Sequence, residues 1–422
     1  MTDHHAAGHM TRFQCLGGAC EDTCCIAWEV PVAPPDQARL RGALGKRADQ
    51  LVTQVPDGRG GMLTVLRKLP DGACPELDGN RMCQLHAHHG ERALPDTCAT
   101  YPRMIRQLDD RLELTGLMSC PEVARLVLLA DDGALVPTDA AMFGRATPQS
   151  RLGRAGAPPY FAMFATVRDA LADLCADRST AHSFASHLYF AAELVARISP
   201  FFHRGATVAE PERLAHELAE IRRPEVQAAL AAKWAASGTM NGLALQTVIG
   251  TLDARGHSGT PSFEALMRAV AATYAPVGPD GANGADGSPL ARLSALGVGA
   301  LWRAHLARRP VEGSAHAARL DRYLARHSRN YWLQDWYLVS ETLFEHVMQL
   351  ALRVALLRFL LVAHPDFRAD ADDATCDRAA VEVFHATARA FDHNSQLRSG
   401  LSTTLKQQQM LTVEHCAAIL KL

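Results

Sequence analysis

Lysine is scarce in this chain of 422 residues: only Lys46, Lys68, Lys233, Lys406 and Lys421 stand among its 43 basic side chains. With 45 acidic residues the net charge is -2 and the pI about 6.8. No surplus of positive charge exists to hold nucleic acid or an anionic membrane by bulk electrostatics, so neither is expected as a partner. Long apolar runs are lacking as well. The most apolar stretch, 347–363, is interrupted by Gln349, Arg353 and Arg358, and a bilayer span needs roughly 20 residues without such charges. The segment Met1–Thr11 is polar, with no apolar core of a secretory signal. A cytoplasmic protein is therefore expected, with His4, His5 and His9 in a disordered tail. Hydrophobic residues at 48% and charged residues at 21% exclude a mainly disordered, collagen-like or small disulfide-stapled chain.

Cysteine is distributed very unevenly. Eight of the eleven, Cys15, Cys20, Cys24, Cys25, Cys74, Cys83, Cys98 and Cys120, precede residue 121, while Cys175, Cys376 and Cys416 are scattered singly as small buried hydrophobes. In a reducing compartment such clustering points to metal ligands or redox groups rather than to structural disulfides. The first block, Cys15-x4-Cys20-x3-Cys24-Cys25, lets one loop fold several thiolates around a centre, with Gly17 and Gly18 allowing a tight backbone. Thiolates are soft and select zinc, Cu(I) or iron–sulfur clusters over magnesium or calcium. Eight thiols suffice for two four-cysteine sites, or for one site with redox or structural cysteines beside it. Adjacent Cys24 and Cys25 point in different directions in most backbone conformations, which disfavours both binding one mononuclear ion. Spacing alone does not choose the metal.

Two other signatures are missing. A radical-chemistry cluster loop needs Cys-x3-Cys-x2-Cys, whereas Cys20, Cys24 and Cys25 give x3 and then x0. The glycine-rich stretches Asp57–Gly61 and Leu296–Ala300 lack the preceding strand of a nucleotide-binding βαβ unit.

The chain divides by composition. A cysteine-rich module at 10–132 is punctuated by turn formers and is expected to be loop-rich, with helices at 35–54 and 122–129 and a short strand at 111–115. A linker at 133–159 follows. Helical regions are expected at 160–274 and 290–422, separated by a Gly/Pro/Asp loop at 275–289. The fold class is mainly α: a loop-rich, metal-binding N-terminal module with a multi-helix C-terminal body. Pro211 and Pro224 are expected to open or break helices.

Around the cysteines several residues are candidates. His86, His88 and His89 lie between two cysteines and can ligate metal, act as base, or be plain loop residues. Glu21 and Asp22 can face a substrate amine or cap a turn, and Arg103 can hold a carboxylate or serve the surface beside Tyr101. Tyr331, Trp332, Trp336 and Tyr337 concentrate aromatic rings that suit either a sulfonium or a core. His393 and Asn394 can cap or brace a helix.

The ordered string Phe13-x-Cys15-x4-Cys20-Glu-Asp-Thr-Cys24-Cys25-x2-Trp28, Cys74-x8-Cys83, Leu94-Pro-x-Thr-Cys98-x-Thr-Tyr-Pro-Arg103 and Ser119-Cys-Pro-Glu-Val-Ala-Arg125 resembles the FliB-type flagellin lysine-N-methylases. It is also similar to the wider group of cysteine-rich zinc- or iron-chelating domains. More loosely, Arg329-Asn-Tyr-Trp332 resembles that family's Glu-Asn-Tyr, and Ala388–Asn394 its Arg-x-Ile-Glu-His-Asn. Arg329 departs from the acidic residue of the family, and the loop at 275–289 is an addition. The resemblance implies methyl transfer from S-adenosylmethionine to lysine ε-amines of flagellin, as part of bacterial flagellum biogenesis. It also implies an iron–sulfur centre of the four-iron (4Fe-4S) type, with zinc as the alternative, held by some of the eight cysteines. The contrasting expectation is a metal-binding interaction or redox protein without transferase activity.

Overall fold

The computed structural model describes every residue except 1, 27, 58–59, 154–156, 158, 178–181, 204, 239–240, 256–259, 276–287, 336–339, 341 and 394. Most of the stretch read as a Gly/Pro/Asp loop at 275–289, together with Trp336, Tyr337 and Asn394, thus lies outside the described residues. The chain forms two units. The first comprises Met1–Leu126, Ala134–Arg151 and Gly259–Pro261, and the second Val127–Gly133, Leu152–Ser258 and Ser262–Leu422.

The first unit holds strands β1 (Asp3–Ala7), β2 (Val52–Pro56), β3 (Met62–Leu66), β4 (Arg103–Leu108), β5 (Arg111–Gly116), β6 (Leu135–Pro137) and β7 (Ser150–Leu152). Five of them make one sheet in the order β6-β1-β5-β4-β7, and β2 and β3 pair separately as a hairpin. The alternation Arg111-Leu-Glu-Leu-Thr115 is a strand as expected. The tail reading of His4, His5 and His9 is corrected here. β1 lies inside the sheet, parallel to β5 with His5 opposite Glu113 and antiparallel to β6, and His9 is buried. Histidine reads as polar in a sequence, but here His4 packs edge-on against Phe143 with ring centroids 5.0 Å apart. The segment 133–159, read as a linker, instead supplies β6 and β7, strands too short to show periodicity. The helix expected at 35–54 ends at Leu44, where Gly45 takes a positive φ of 58°, and the chain continues through a 3-10 helix, Gly45–Gln50, into β2.

The second unit is helical throughout, which bears out the mainly α class. Capping side chains set many of its starts. Ser183, Ser314, Thr342, Asp372 and Thr412 each accept a backbone N–H three residues on. Proline at the first turn opens Pro211–Glu220 and Pro224–Ala236, dividing what otherwise reads as one helix. Gly297 at φ 71° separates Pro289–Ala295 from Val298–Arg308. The helix Asn241–Arg255 falls inside the helical region expected at 160–274, although Gly242 and Gly250 blur its apolar stripe.

At the centre lies Leu343–Ala363, the one helix among the described residues long and apolar enough to cross a membrane; 89% of its apolar window is buried inside the protein. It packs against Phe184–Ile198, Ala315–Gln334, Asp373–Phe391 and Val413–Leu420. The carbonyls ending the last of these accept from arginines: buried Arg358 donates to Leu420 O at 2.8 Å and half-buried Arg309 to Lys421 O at 3.0 Å. His305 sits between Tyr274 Oη at 2.7 Å and Leu422 O at 3.1 Å.

Burial pushes both His305 and His327 down to about 3. In the unfolded chain they take up protons near pH 6.5. A depressed folded pKa gives stability that is full above that value and is lost as pH falls toward 3. In urea titrations followed by circular dichroism, the unfolding free energy is expected to fall by up to about 1.4 kcal/mol per pH unit for each histidine in that window. His327→Leu is expected to flatten the slope by about one proton; an unchanged slope contradicts the assignment.

Candidate metal centre

Four of the eight clustered cysteines come together through main-chain pairing of distant segments. The Cys74 amide donates to the Cys25 carbonyl at 2.9 Å, beside an antiparallel bridge between Ile26 and Ala73. Lys68 Nζ donates to the same carbonyl at 3.3 Å. Cys83 bridges antiparallel to Leu77 and caps the short helix Gln84–His89. The turn before it is shaped by Asp78, whose Oδ1 accepts from the amides of Asn80 at 2.9 Å and Met82 at 2.8 Å. Cys98 lies in the single-turn helix Asp96–Thr100. That turn is pinned by Asp36, which accepts from the Asp96 amide at 2.9 Å, and by Arg39, which pairs with both carboxylates. Cys74 is buried with Val30, Leu40, Leu66, Leu85 and Leu94, and Cys25, Cys83 and Cys98 pack against that cluster.

The other four belong to the N-terminal loop and the turn before residue 121. Gly17 has φ 56°, and a Cβ on Gly18 would stand 2.6 Å from the Asn80 carbonyl, so this loop can lie against the 80–82 turn only with glycine there. The Gly18 amide donates to Met82 Sδ at 3.0 Å. Cys20 Sγ donates to the Asp22 carbonyl at 3.3 Å. Cys120 precedes the helix Pro121–Leu129, from which Arg125 pairs with both Glu122 and Glu21. Trp28 donates from Nε1 to the Cys24 carbonyl, its ring lies 5.4 Å from that of Tyr101, and Tyr101 Oη meets Ser119 Oγ at 3.1 Å.

Electrostatics divides the thiols in the same way. Burial first, then the neighbouring Cys25, Cys74 and Cys83, push the Cys98 thiol up. Burial and then Cys25 and Cys74 push Cys83 up to about 11, and burial followed by Cys25 raises Cys74. Cys120 is pushed up to about 12, mainly by burial, with Cys20 and Cys15 adding to it. Cys24 stands between the groups: its hydrogen bond with Cys25 raises it most, then burial, with Cys25, Cys98 and Cys15 as charged neighbours. Four thiolates so placed oppose one another's ionisation, and a cation is what reverses that balance.

The donor chemistry fits zinc or an iron–sulfur group: four soft sulfurs from separate segments, all eleven cysteines being free of disulfides. A closed single-ion cage is not formed, since among the described residues no three His, Cys, Asp or Glu side chains are placed to hold one ion. Sulfurs around one tetrahedral zinc stand about 3.8 Å apart, from a bond of about 2.3 Å. His86, His88 and His89 are exposed on Gln84–His89 and join no such group. Glu21 is engaged by Arg125. Arg103 donates to the Met142 carbonyl at 3.2 Å and lies over the Phe13 ring at 5.8 Å. The supporting roles of Lys68, Asp36, Arg39 and Asp96 carry no local motif and show only once distant segments meet.

In the helical unit, Tyr331 and Trp332 are buried around His346, with ring centroids 4.7 and 5.0 Å from it. The Arg353 guanidinium lies 5.9 Å from the Tyr331 ring and pairs with Asp392. His393 follows that aspartate at the end of Asp373–Phe391. These motifs sit in the part of the chain, residues 318–419, that matches the family model of the FliB lysine N-methylase C-terminal domain. Residues 14–120 match the "Putative zinc- or iron-chelating domain". The resemblance to the FliB-type lysine-N-methylases holds at both ends of the chain. Over 130 residues the chain is 29% identical to a lysine-N-methylase of Salmonella typhimurium, covering 28% of this chain and 31% of that relative. It is 28% identical over 130 residues to the flagellar biosynthetic protein FliU of Salmonella muenchen, covering 28% of this chain and 73% of that relative. A lysine-N-methylase of Salmonella choleraesuis is matched at 28% identity over 31% of its length. No solved structure matches.

Anaerobically purified Cys98→Ala and Cys20→Ala proteins are expected to lose bound metal and soluble yield, because ligation contributes to folding. Cys416→Ala, remote in sequence and buried in the helical unit, is expected to keep its metal. Iron, sulfide and zinc analysis measures this; full content in either of the first two removes that cysteine from the ligand set.

Proposed function

We propose that this protein is a cytoplasmic lysine N-methyltransferase. It moves a methyl group from S-adenosylmethionine to the ε-amine of lysines on flagellin and carries a cysteine-held iron–sulfur centre. The observation that carries the reading is the union, in one chain, of an all-thiol cluster folded from distant segments with a match to the FliB lysine N-methylase C-terminal domain. The name of the relative FliU, a flagellar biosynthetic protein, supports flagellin as substrate. The near-neutral charge suits a partner that is a protein surface.

Cys25, Cys74, Cys83 and Cys98 would hold one centre, with Cys15, Cys20, Cys24 and Cys120 as the second group of ligands. When bound, an iron–sulfur cluster supplies a one-electron redox centre tuned by burial and hydrogen bonding. Lys68 brings a positive charge to this group, favouring the ionised thiols Cys74 and Cys98. The Trp28–Tyr101 pair packs beside the thiol group. The substrate amine, with an ordinary pKa near 10.4, must give up its proton before its lone pair attacks the sulfonium methyl. The new N–C bond forms as the S–CH3 bond breaks, and both atoms must be held in line.

Protein purified anaerobically, incubated with labelled S-adenosylmethionine and the flagellin of its own organism, is expected to yield mono-, di- or trimethyl-lysine by mass spectrometry. Full iron and sulfide with no incorporated label would overturn the methyltransferase reading and leave a metal-binding interaction or redox protein. Stoichiometric zinc in a colourless protein would overturn the iron–sulfur centre.

A further inference from the structure

Helices Asn241–Arg255, Ala315–Gln334, Leu343–Ala363, Asp373–Phe391 and Ser395–Gln407 of the second unit surround a pocket. It holds about 680 Å3 of space between side chains and is open in part to solvent. Pockets for small-molecule ligands and cofactors run to about 300–1,000 Å3. Much of the wall is apolar, formed by Leu352, Leu356, Phe391, Leu397 and Leu401. Both strings that resemble the FliB family reach it: Tyr331 and Phe391 line it, and Asp392 pairs with the lining residue Arg353. Gln349, also on the wall, donates to Ser402 Oγ at 2.7 Å and so ties Ser395–Gln407 to the central helix.

Two polar features decide what this space can take. Thr387 lines it from helix Asp373–Phe391; the residue is 1% exposed, and Oγ1 has no hydrogen-bond partner among the described residues. Thr247 and Thr251, on the neighbouring helix Asn241–Arg255, each donate to the carbonyl four residues back at 2.7 Å, the usual local outlet for a helical threonine. Thr387 makes no such bond, and a buried hydroxyl left without a partner is costly and needs an explanation. The second feature is an end of mixed charge. Arg353 pairs with Asp392 and also lies in the field of Asp335, which lines the pocket. Tyr331, already stacked on His346, serves as wall.

We infer that this pocket binds S-adenosylmethionine, its adenosine among the leucines, Phe391 and the Thr387 hydroxyl, and its methionyl group at the Arg353 end. The inference rests on the lysine-methylation reading and adds the place where the methyl donor sits. Size, wall and charge agree on it. Adenine has apolar faces and an edge of donors and acceptors, and a threonine hydroxyl can answer either. The methionyl group carries an ammonium, a carboxylate and a sulfonium, so an end that holds both a guanidinium and carboxylates offers each sign a counterpart. Arg353 has five N–H donors, more than its pair with Asp392 uses. A plain hydrocarbon would leave Thr387 and Arg353 unanswered, and a free phosphate would meet one cation already shared with carboxylates.

The test is calorimetric titration of the full-length, anaerobically purified protein with S-adenosylmethionine, S-adenosylhomocysteine and 5′-methylthioadenosine. Saturable binding of the first two is expected. The third keeps the adenosine but lacks the amino-acid group, and is expected to bind about tenfold more weakly, as loss of a charge-assisted hydrogen bond does. Thr387→Val keeps the side-chain shape. It is expected to weaken all three about fivefold, the size of one neutral hydrogen bond, with Tm unchanged or higher, which loss of a structural hydrogen bond does not do. Leu401→Trp fills the pocket from its half-buried side and is expected to abolish binding while the helical circular dichroism signal stays intact. Undiminished binding in either variant overturns the assignment even where the wild-type protein methylates flagellin, and so does a wild-type protein that binds none of the three. Binding that is weakened in Thr387→Val and lost in Leu401→Trp, with no methylation in any preparation, upholds the pocket and overturns the methyltransferase reading instead.

Discussion

Buried thiols cannot all ionise side by side, and that constraint governs the N-terminal unit. Cys98 is raised by burial and then by three neighbouring cysteines, and Cys74 and Cys83 each by burial and the others. Without a cation these groups keep their protons; as ligands of one they would give them up. The chain therefore holds them in place by means that do not depend on sulfur. The Cys25–Cys74 main-chain bond, the Asp78 turn and the Asp36–Arg39–Asp96 network act whether the thiols are charged or neutral. A metal-binding module of this kind needs such scaffolding because its apolar core is small, with Cys74 itself a member.

Much of the helical body is legible in the sequence because its punctuation is local. Ser183, Ser314 and Asp372 mark helix starts by residue type, and Pro224 divides two helices whatever surrounds it. The break between Ser395–Gln407 and Val413–Leu420 is not legible in the same way, since 395–422 reads as one helical stretch. The strand at Arg111–Gly116 is visible from alternation alone. β1 is not, because Asp3-His4-His5 has no apolar alternation and becomes a strand only by pairing with residues more than a hundred positions away. β6 and β7 fail for a related reason, each being three residues long. The eight cysteines stand out as a set, but their division into groups depends on contacts between residue 25 and residues 74, 83 and 98, which no spacing rule supplies.

The helix Leu343–Ala363 shows how two charges change the meaning of an apolar segment. By length and composition it passes for a membrane span, yet Arg353 and Arg358 lie on it, and a lipid environment offers such groups little. Here each has a protein partner. Arg358 donates to the Leu420 carbonyl and, though burial pushes it down to about 10, it stays charged at neutral pH. Arg353 pairs with Asp392 and faces Tyr331, residues from the two motifs that resemble the FliB family. Through Arg353 the central helix thus meets segments some sixty positions apart in sequence, Tyr331 by a ring contact and Asp392 by an ion pair. Breaking a buried pair by removing one partner costs more than the pair itself contributes, because the other charge is left stranded. Asp335 also bears on Arg353, so the cation keeps a second carboxylate nearby besides Asp392. Arg353 lines a cavity of the helical unit together with Asp335 and Thr387, so its pairing with Asp392 fixes where that cation stands on the wall.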